Sequence, residues 1–290
     1  MSTSAPVPAS SEPAASAEDP GGCLAASNPG SAGDSRGARD PGAEPARSLP
    51  RRTVVQRLLQ AVLALSLPVL LLGLGARLVA TPVFLQLEYH RPGFPADHWG
   101  MSTEERMTFG SYGMDYIMNL APPEYLGGLV SPEGGLAFTP AEVSHMSDVQ
   151  HVMHWGLMSA LVLLVVSVLV GWWLHRRAPG AASAAWFAGA WLTVALLVVA
   201  CVAAVLGWQN FFAAFHSLFF SSGTWTFSIS DTLIRLYPTQ FWIDAAIAVA
   251  LITLVGAFAV MLVTTRRRRR AAAPRTAPWA GGRGRLRSRT

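Results

Sequence analysis

The chain has 290 residues, 51% of them hydrophobic and only 13% charged, and its 22 basic side chains are all arginine against 17 acids, for a net charge of +5. So little charge excludes an ordinary soluble protein and points to a polytopic membrane protein. Much of the basicity lies in residues 266–290, so it describes a tail and no nucleic-acid partner is expected; the two cysteines, Cys23 and Cys201, suggest neither a disulfide framework nor a thiolate metal cluster.

Residues 1–50 are Ala, Pro, Ser and Gly with scattered acids, too little apolar surface to offset the entropy of ordering, and are expected to be a disordered head. Cys23 follows Gly22 with no apolar stretch before it, which argues against a secretory signal. The first apolar run, about 58–80, follows Arg51, Arg52 and Arg57 and exceeds the roughly 20 residues that cross a hydrocarbon core. Pro68 within it predicts a kink, and Arg77 can snorkel to the far interface. Further spans are predicted at about 152–174, 185–206 and 243–264, the last closing on Arg266 to Arg270. An all-α membrane domain over 51–265 follows, with a disordered Arg-rich tail at 266–290.

Arginines cluster before the first span, between the second and third, and after the fourth, whereas the other connections carry only Arg91, Arg106 and Arg235. Positive charge marks the cytoplasmic side, so both termini are expected in the cytoplasm of a multi-pass protein of the cell membrane. The arginines after the fourth span are then suited to anionic lipid. The two long connections, 82–151 and 207–241, face outward. In the first, Ser102-Thr-Glu-Glu105 is a capping box opening a helix through Tyr112, Tyr116 and Leu120 that ends at Ala121-Pro122-Pro123. Thr139-Pro140-Ala-Glu142 opens another, expected to run unbroken into the second span.

On that entering helix His145 and Asp148 share a face, as do His151 and His154. A carboxylate beside an imidazole fixes its tautomer and raises its basicity, although such a pair is also an ordinary solvated one. The second connection holds 211–242, a run of aromatics around one histidine, His216. Its polar residues make it a poor span, and it is expected to lie in the interface. An imidazole among Phe211, Phe212, Phe215, Phe219 and Phe220 is costly unless hydrogen-bonded or kept for chemistry. Two rival sites are weaker. His145, Asp148, His151, His154 and His216 include enough ligands for zinc but lack metal-site spacing, and Ser217 beside His216 lacks a nucleophile turn.

His145-Met-x-Asp148-Val before a second span, with Phe215-His216-x-x-Phe219-Phe220, Trp225-x-Phe227, Asp231-x-Leu233-Ile234 and Pro238-x-x-Phe241-Trp242 after a third, resembles a four-span integral membrane family. It is the one that includes the bacterial lipoprotein intramolecular transacylases, and the likeness covers about 55–265. The resemblance implies an acyltransferase at the outer leaflet, moving an acyl chain from the glyceryl ester of a diacylglyceryl-cysteine to the α-amino group of that cysteine. It implies His145 and His216 as the catalytic pair. Asp148 is expected to orient His145, and Phe219, Trp225 and Phe227 to shape an acyl-chain pocket. Asn210 and Arg235 are candidate substrate contacts, as donors to an oxyanion, alongside a protonated second histidine or a backbone N–H. The expected partner is a membrane lipid or lipoprotein, with no cofactor and no metal. Two other readings stay open: a non-enzymatic membrane protein binding lipid or a partner chain through the same layer, and a metal-dependent membrane hydrolase.

Overall fold

The computed structural model describes residues 52–272, so the expected head at 1–50 and most of the expected tail lie outside the described residues. Nine helices occupy the described chain: α1 (Val54–Val79), α2 (Pro82–His90), α3 (Thr103–Met118), α4 (Glu124–Gly127), α5 (Pro140–Arg177), α6 (Ala181–Leu206), α7 (Trp208–Ser217), α8 (Thr232–Leu236) and α9 (Thr239–Ala272). Four of them, α1, α5, α6 and α9, are long and apolar enough to cross a membrane. Their Leu and Val side chains are widely exposed, including Leu65, Val165, Val199 and Val255. That is the pattern of helices whose outer faces meet lipid.

The four long helices alternate in direction. Near one end Gln60 Nε2 donates to the Ala181 carbonyl, at mid-depth Ser66 and Ser167 share a 2.8 Å hydrogen bond, and nearer the other end Thr253 Oγ1 donates to the Leu71 carbonyl. Small residues let α1 and α6 approach closely: a Cβ built on Gly189 would stand 2.7 Å from the Ala64 carbonyl oxygen. Packing of this kind, with polar bonds between helices, replaces the hydrophobic driving force that lipid-embedded helices lack. Arg57 and the Arg266 to Arg270 run sit at the same end of the bundle as the α5–α6 turn.

The other end carries a helical cap made of α2, α3, α4, α7, α8 and the first turns of α5. Its core contains Leu85, Phe109, Tyr116, Phe138, Leu236 and Phe241. The capping boxes at Ser102 and Thr139 both form, and α5 runs without a break from the cap into its apolar stretch, so His145 and the second span share one rigid rod. Thr81, before Pro82, caps α2.

Three boundaries differ from the sequence reading. Helix α3 stops at Met118, short of the prolines, because Asn119 turns extended and its side chain accepts from Ala121 N. Helix α9 runs through the arginines to Ala272, where disorder is expected from 266; arginine is a good helix former and no breaker comes before Pro274. The aromatic stretch is split: α7 starts immediately after the break at Gly207, and 218–231 then forms a non-helical loop leading to α8.

Candidate active site

His145 stands in the second turn of α5 and His216 in the last turn of α7. Both are buried, at 8% and 7% exposure. The cap brings their rings to 6.4 Å between centroids, stacked at 25°. Aromatic rings enclose them: Phe220 and Phe227 lie 5.0 and 5.4 Å from His145, while Phe212 and Trp225 lie 4.0 and 4.9 Å from His216. Among the described residues no carboxylate is hydrogen-bonded to either imidazole, and the wall of rings gives both low-dielectric surroundings.

One contact fixes the tautomer of His216. Its Nδ1 lies 2.9 Å from the Phe212 carbonyl oxygen one turn earlier, and since a carbonyl only accepts, Nδ1 carries the proton. Nε2 is left with a lone pair. His145 has no such restraint, and its buried Nδ1 finds no hydrogen-bond partner among the described residues. Burial pushes His145 down to about 4, with the nearby His216 adding to the effect and Asp148 opposing it. Burial likewise holds His216 below the ordinary imidazole value, against the Phe212 carbonyl. Both rings are therefore neutral at pH 7.

Asp148 is exposed and makes no hydrogen bond to His145; it acts on that ring only through space. Asn210 is exposed in the first turn of α7, outside the pocket. Arg235 is committed elsewhere, since its Nε and Nη2 grip both Asp97 carboxylate oxygens at 3.1 and 2.9 Å, tying the α2–α3 loop to α8. Phe219 packs on Phe215 and is half exposed at the rim. Trp225 and Phe227 stand against the histidines. His151 is exposed and bonded to the Ser147 carbonyl, and among the described residues no three His, Cys, Asp or Glu side chains come together as a metal-binding group.

Three residues that the sequence reading named only as aromatic surroundings or as a helix cap prove to contribute to the site. Phe212 supplies both a ring and the carbonyl that orients His216; its position four residues before His216 on a helix is the signal that could have found it. Phe220 bridges both imidazoles, at 5.0 and 5.7 Å. Glu142, fully buried, closes the α5 capping box and also accepts from the Leu233 amide at 2.7 Å, so it fixes the end of the loop that bears Trp225 and Phe227.

A four-span membrane protein with paired neutral histidines in an aromatic pocket of its helical cap is what this geometry defines. The family described as lipoprotein intramolecular transacylase Lit matches residues 61–242. An uncharacterised protein of Aquifex aeolicus is 31% identical over 199 residues, which are 69% of this chain and 89% of that protein. The fold is shared with the solved membrane-integral lipoprotein intramolecular transacylase Lit from Bacillus cereus: TM-score 0.60 at 17% identity, covering 74% of this chain and 98% of that one. The chain belongs to the Lit family of integral membrane proteins.

Proposed function

We propose that the chain is a lipoprotein transacylase whose cap faces the outside of the cell membrane, with both termini cytoplasmic. The orientation rests on the arginines at the opposite end of the bundle. The reaction moves an acyl chain from the glyceryl ester of a diacylglyceryl-cysteine to the α-amino group of the same cysteine, leaving an N-acyl, S-monoacylglyceryl product. The single observation that carries the reading is the juxtaposition of His145 and His216, buried and 6.4 Å apart in an aromatic pocket.

Each ring has a role that its surroundings suit. His216 Nε2, free to accept because Nδ1 is tied to Phe212, takes the proton as the amine attacks the ester carbonyl, and returns it to the departing glyceryl oxygen. The N–C bond forms, the ester C–O bond breaks, and no water or cofactor takes part. His145, with its unpartnered Nδ1, accepts from the α-amino group and holds it against the ester. Nucleophile and ester belong to one molecule, so positioning supplies much of the rate through effective molarity. The surrounding rings exclude water, which would otherwise compete as hydrolysis. Phe215, Leu218 and Phe219, exposed on and after α7, give the acyl chains an apolar approach from the leaflet.

The test is mass spectrometry of a lipoprotein's N-terminal peptide after co-expression with the wild-type chain or with His216→Asn, both shown to be folded in the membrane. Wild type is expected to convert the diacylglyceryl, free-amine peptide to its N-acyl, lyso form, and His216→Asn to leave it unconverted. An unconverted peptide with both proteins removes the transacylase reading.

A further inference from the structure

Trp225 stands out in the pocket because its polar atom has nothing to do. The indole lies 4.9 Å from the His216 ring at an interplanar angle of 34°, and its Nε1–H is buried without a hydrogen-bond partner among the described residues. A buried tryptophan ordinarily pairs its N–H, and leaving such a donor unpaired is destabilising. If the residue served only to wall the pocket, as Phe220 does, phenylalanine would fill the space without that cost.

The loop that carries it is held in place. Thr224 N and Oγ1 both donate to the Ser221 carbonyl, and Gly223 sits at φ 86°, a conformation that suits glycine. Downstream, Ser228 N donates to Asp231 Oδ2 at 2.7 Å, and Glu142 then fixes Leu233. The indole is thus presented by a fixed loop to the ring that bears the free Nε2. Two unpartnered polar atoms, Trp225 Nε1 and His145 Nδ1, belong to rings that both pack against His216.

We propose that Trp225 is a third catalytic residue, whose Nε1–H donates to the ester carbonyl oxygen as it becomes an oxyanion; this rests on the transacylase reading above. When the α-amino nitrogen bonds to the carbonyl carbon, the C=O electron pair moves onto oxygen, and the indole N–H stabilises that charge. The pair returns as the ester C–O bond breaks, and the glyceryl oxygen leaves with the proton that His216 held. A neutral donor suits the site, since both imidazoles stay unprotonated until His216 accepts the amine's proton. It also explains why a polar aromatic stands where a plain one would pack: the donor is unpaired in the free protein and paired when charge develops.

The test uses the full-length chain reconstituted in lipid nanodiscs with a synthetic diacylglyceryl-cysteine peptide. Wild type is compared with Trp225→Phe and with a chain carrying 3-benzothienylalanine at 225, which keeps the bicyclic shape and replaces N–H by sulfur. Both variants are expected to lose kcat by about 10²–10³-fold with KM nearly unchanged, as on removal of an oxyanion donor. If the phenylalanine variant fails to fold, the shape-preserving one carries the test. An active wild type with an equally active benzothienylalanine chain, or one altered only in KM, overturns this assignment and leaves the transacylase reading standing. An inactive wild type overturns both.

Discussion

Glu142 joins the start of the second span to the loop that walls the pocket, and its replacement is the sharpest test of how the cap is held. The side chain is fully buried; one carboxylate oxygen accepts from Thr139 N and the other from Leu233 N, both at 2.7 Å. In Glu142→Ala both amides lose their acceptor. Hydrogen bonds to a charged group contribute about 1.5–3 kcal/mol each, so the pair predicts a loss of about 3–6 kcal/mol within the cap. Glutamine does not rescue it, because its NH2 would face one of two N–H donors. The α5 rod should persist, since its remaining length is unaffected, while α8 and the 218–231 loop detach from the histidines. Two measurements in detergent check this: thermal unfolding followed by tryptophan fluorescence, and hydrogen exchange at Leu233. A lower midpoint, faster exchange at 228–236 and little change in the spans are expected. An Ala variant with wild-type stability and protected Leu233 would refute the reasoning.

Three further outcomes follow from the same geometry. Arg235→Ala removes the cation from the Asp97 carboxylate, which keeps its bonds from Trp99 N and Met101 N, and is expected to destabilise the cap by about 1–3 kcal/mol, read as a lowered thermal midpoint; substrate KM should move only as far as folding does. Gly189→Val forces a side chain against the Ala64 carbonyl and is expected to cost about 1–3 kcal/mol, read in the same melt. NMR of ring-labelled histidine should show His145 uncharged down to about pH 4 and His216 titrating below 6.5. For both, the unfolded chain binds the proton near 6.5 before the folded one does, so stability falls as pH drops below 6.5 and the loss for His145 is complete near 4. A His145 midpoint at or above 6.5 would mean the pocket is wet.

The four spans were legible because crossing a bilayer demands long apolar runs, and the continuous α5 was legible because Thr139, Pro140 and Glu142 spell a helix start. Topology put His145 and His216 in one outer layer and the family motifs paired them, since residues 71 apart carry no local signal of contact. Other details depended on tertiary packing. Arg235 reads as a free cation until Asp97, 138 residues away, is seen to grip it. Asp148 has the right spacing to touch His145, yet the helix leaves it exposed. The work of Phe212 is done by a backbone carbonyl, which sequence does not advertise, and the unpaired Trp225 N–H is visible only once every neighbour has a position.

The account stands on His145 and His216 acting as one site, and the most direct measurement is the single-turnover rate of acyl transfer by the reconstituted protein with His145→Ala, His216→Ala and the double variant. Groups that act as a unit give strongly non-additive losses. Each single variant is expected to lose nearly as much rate as the double one. A single variant with the wild-type rate, or losses that simply multiply, would contradict a shared two-histidine site.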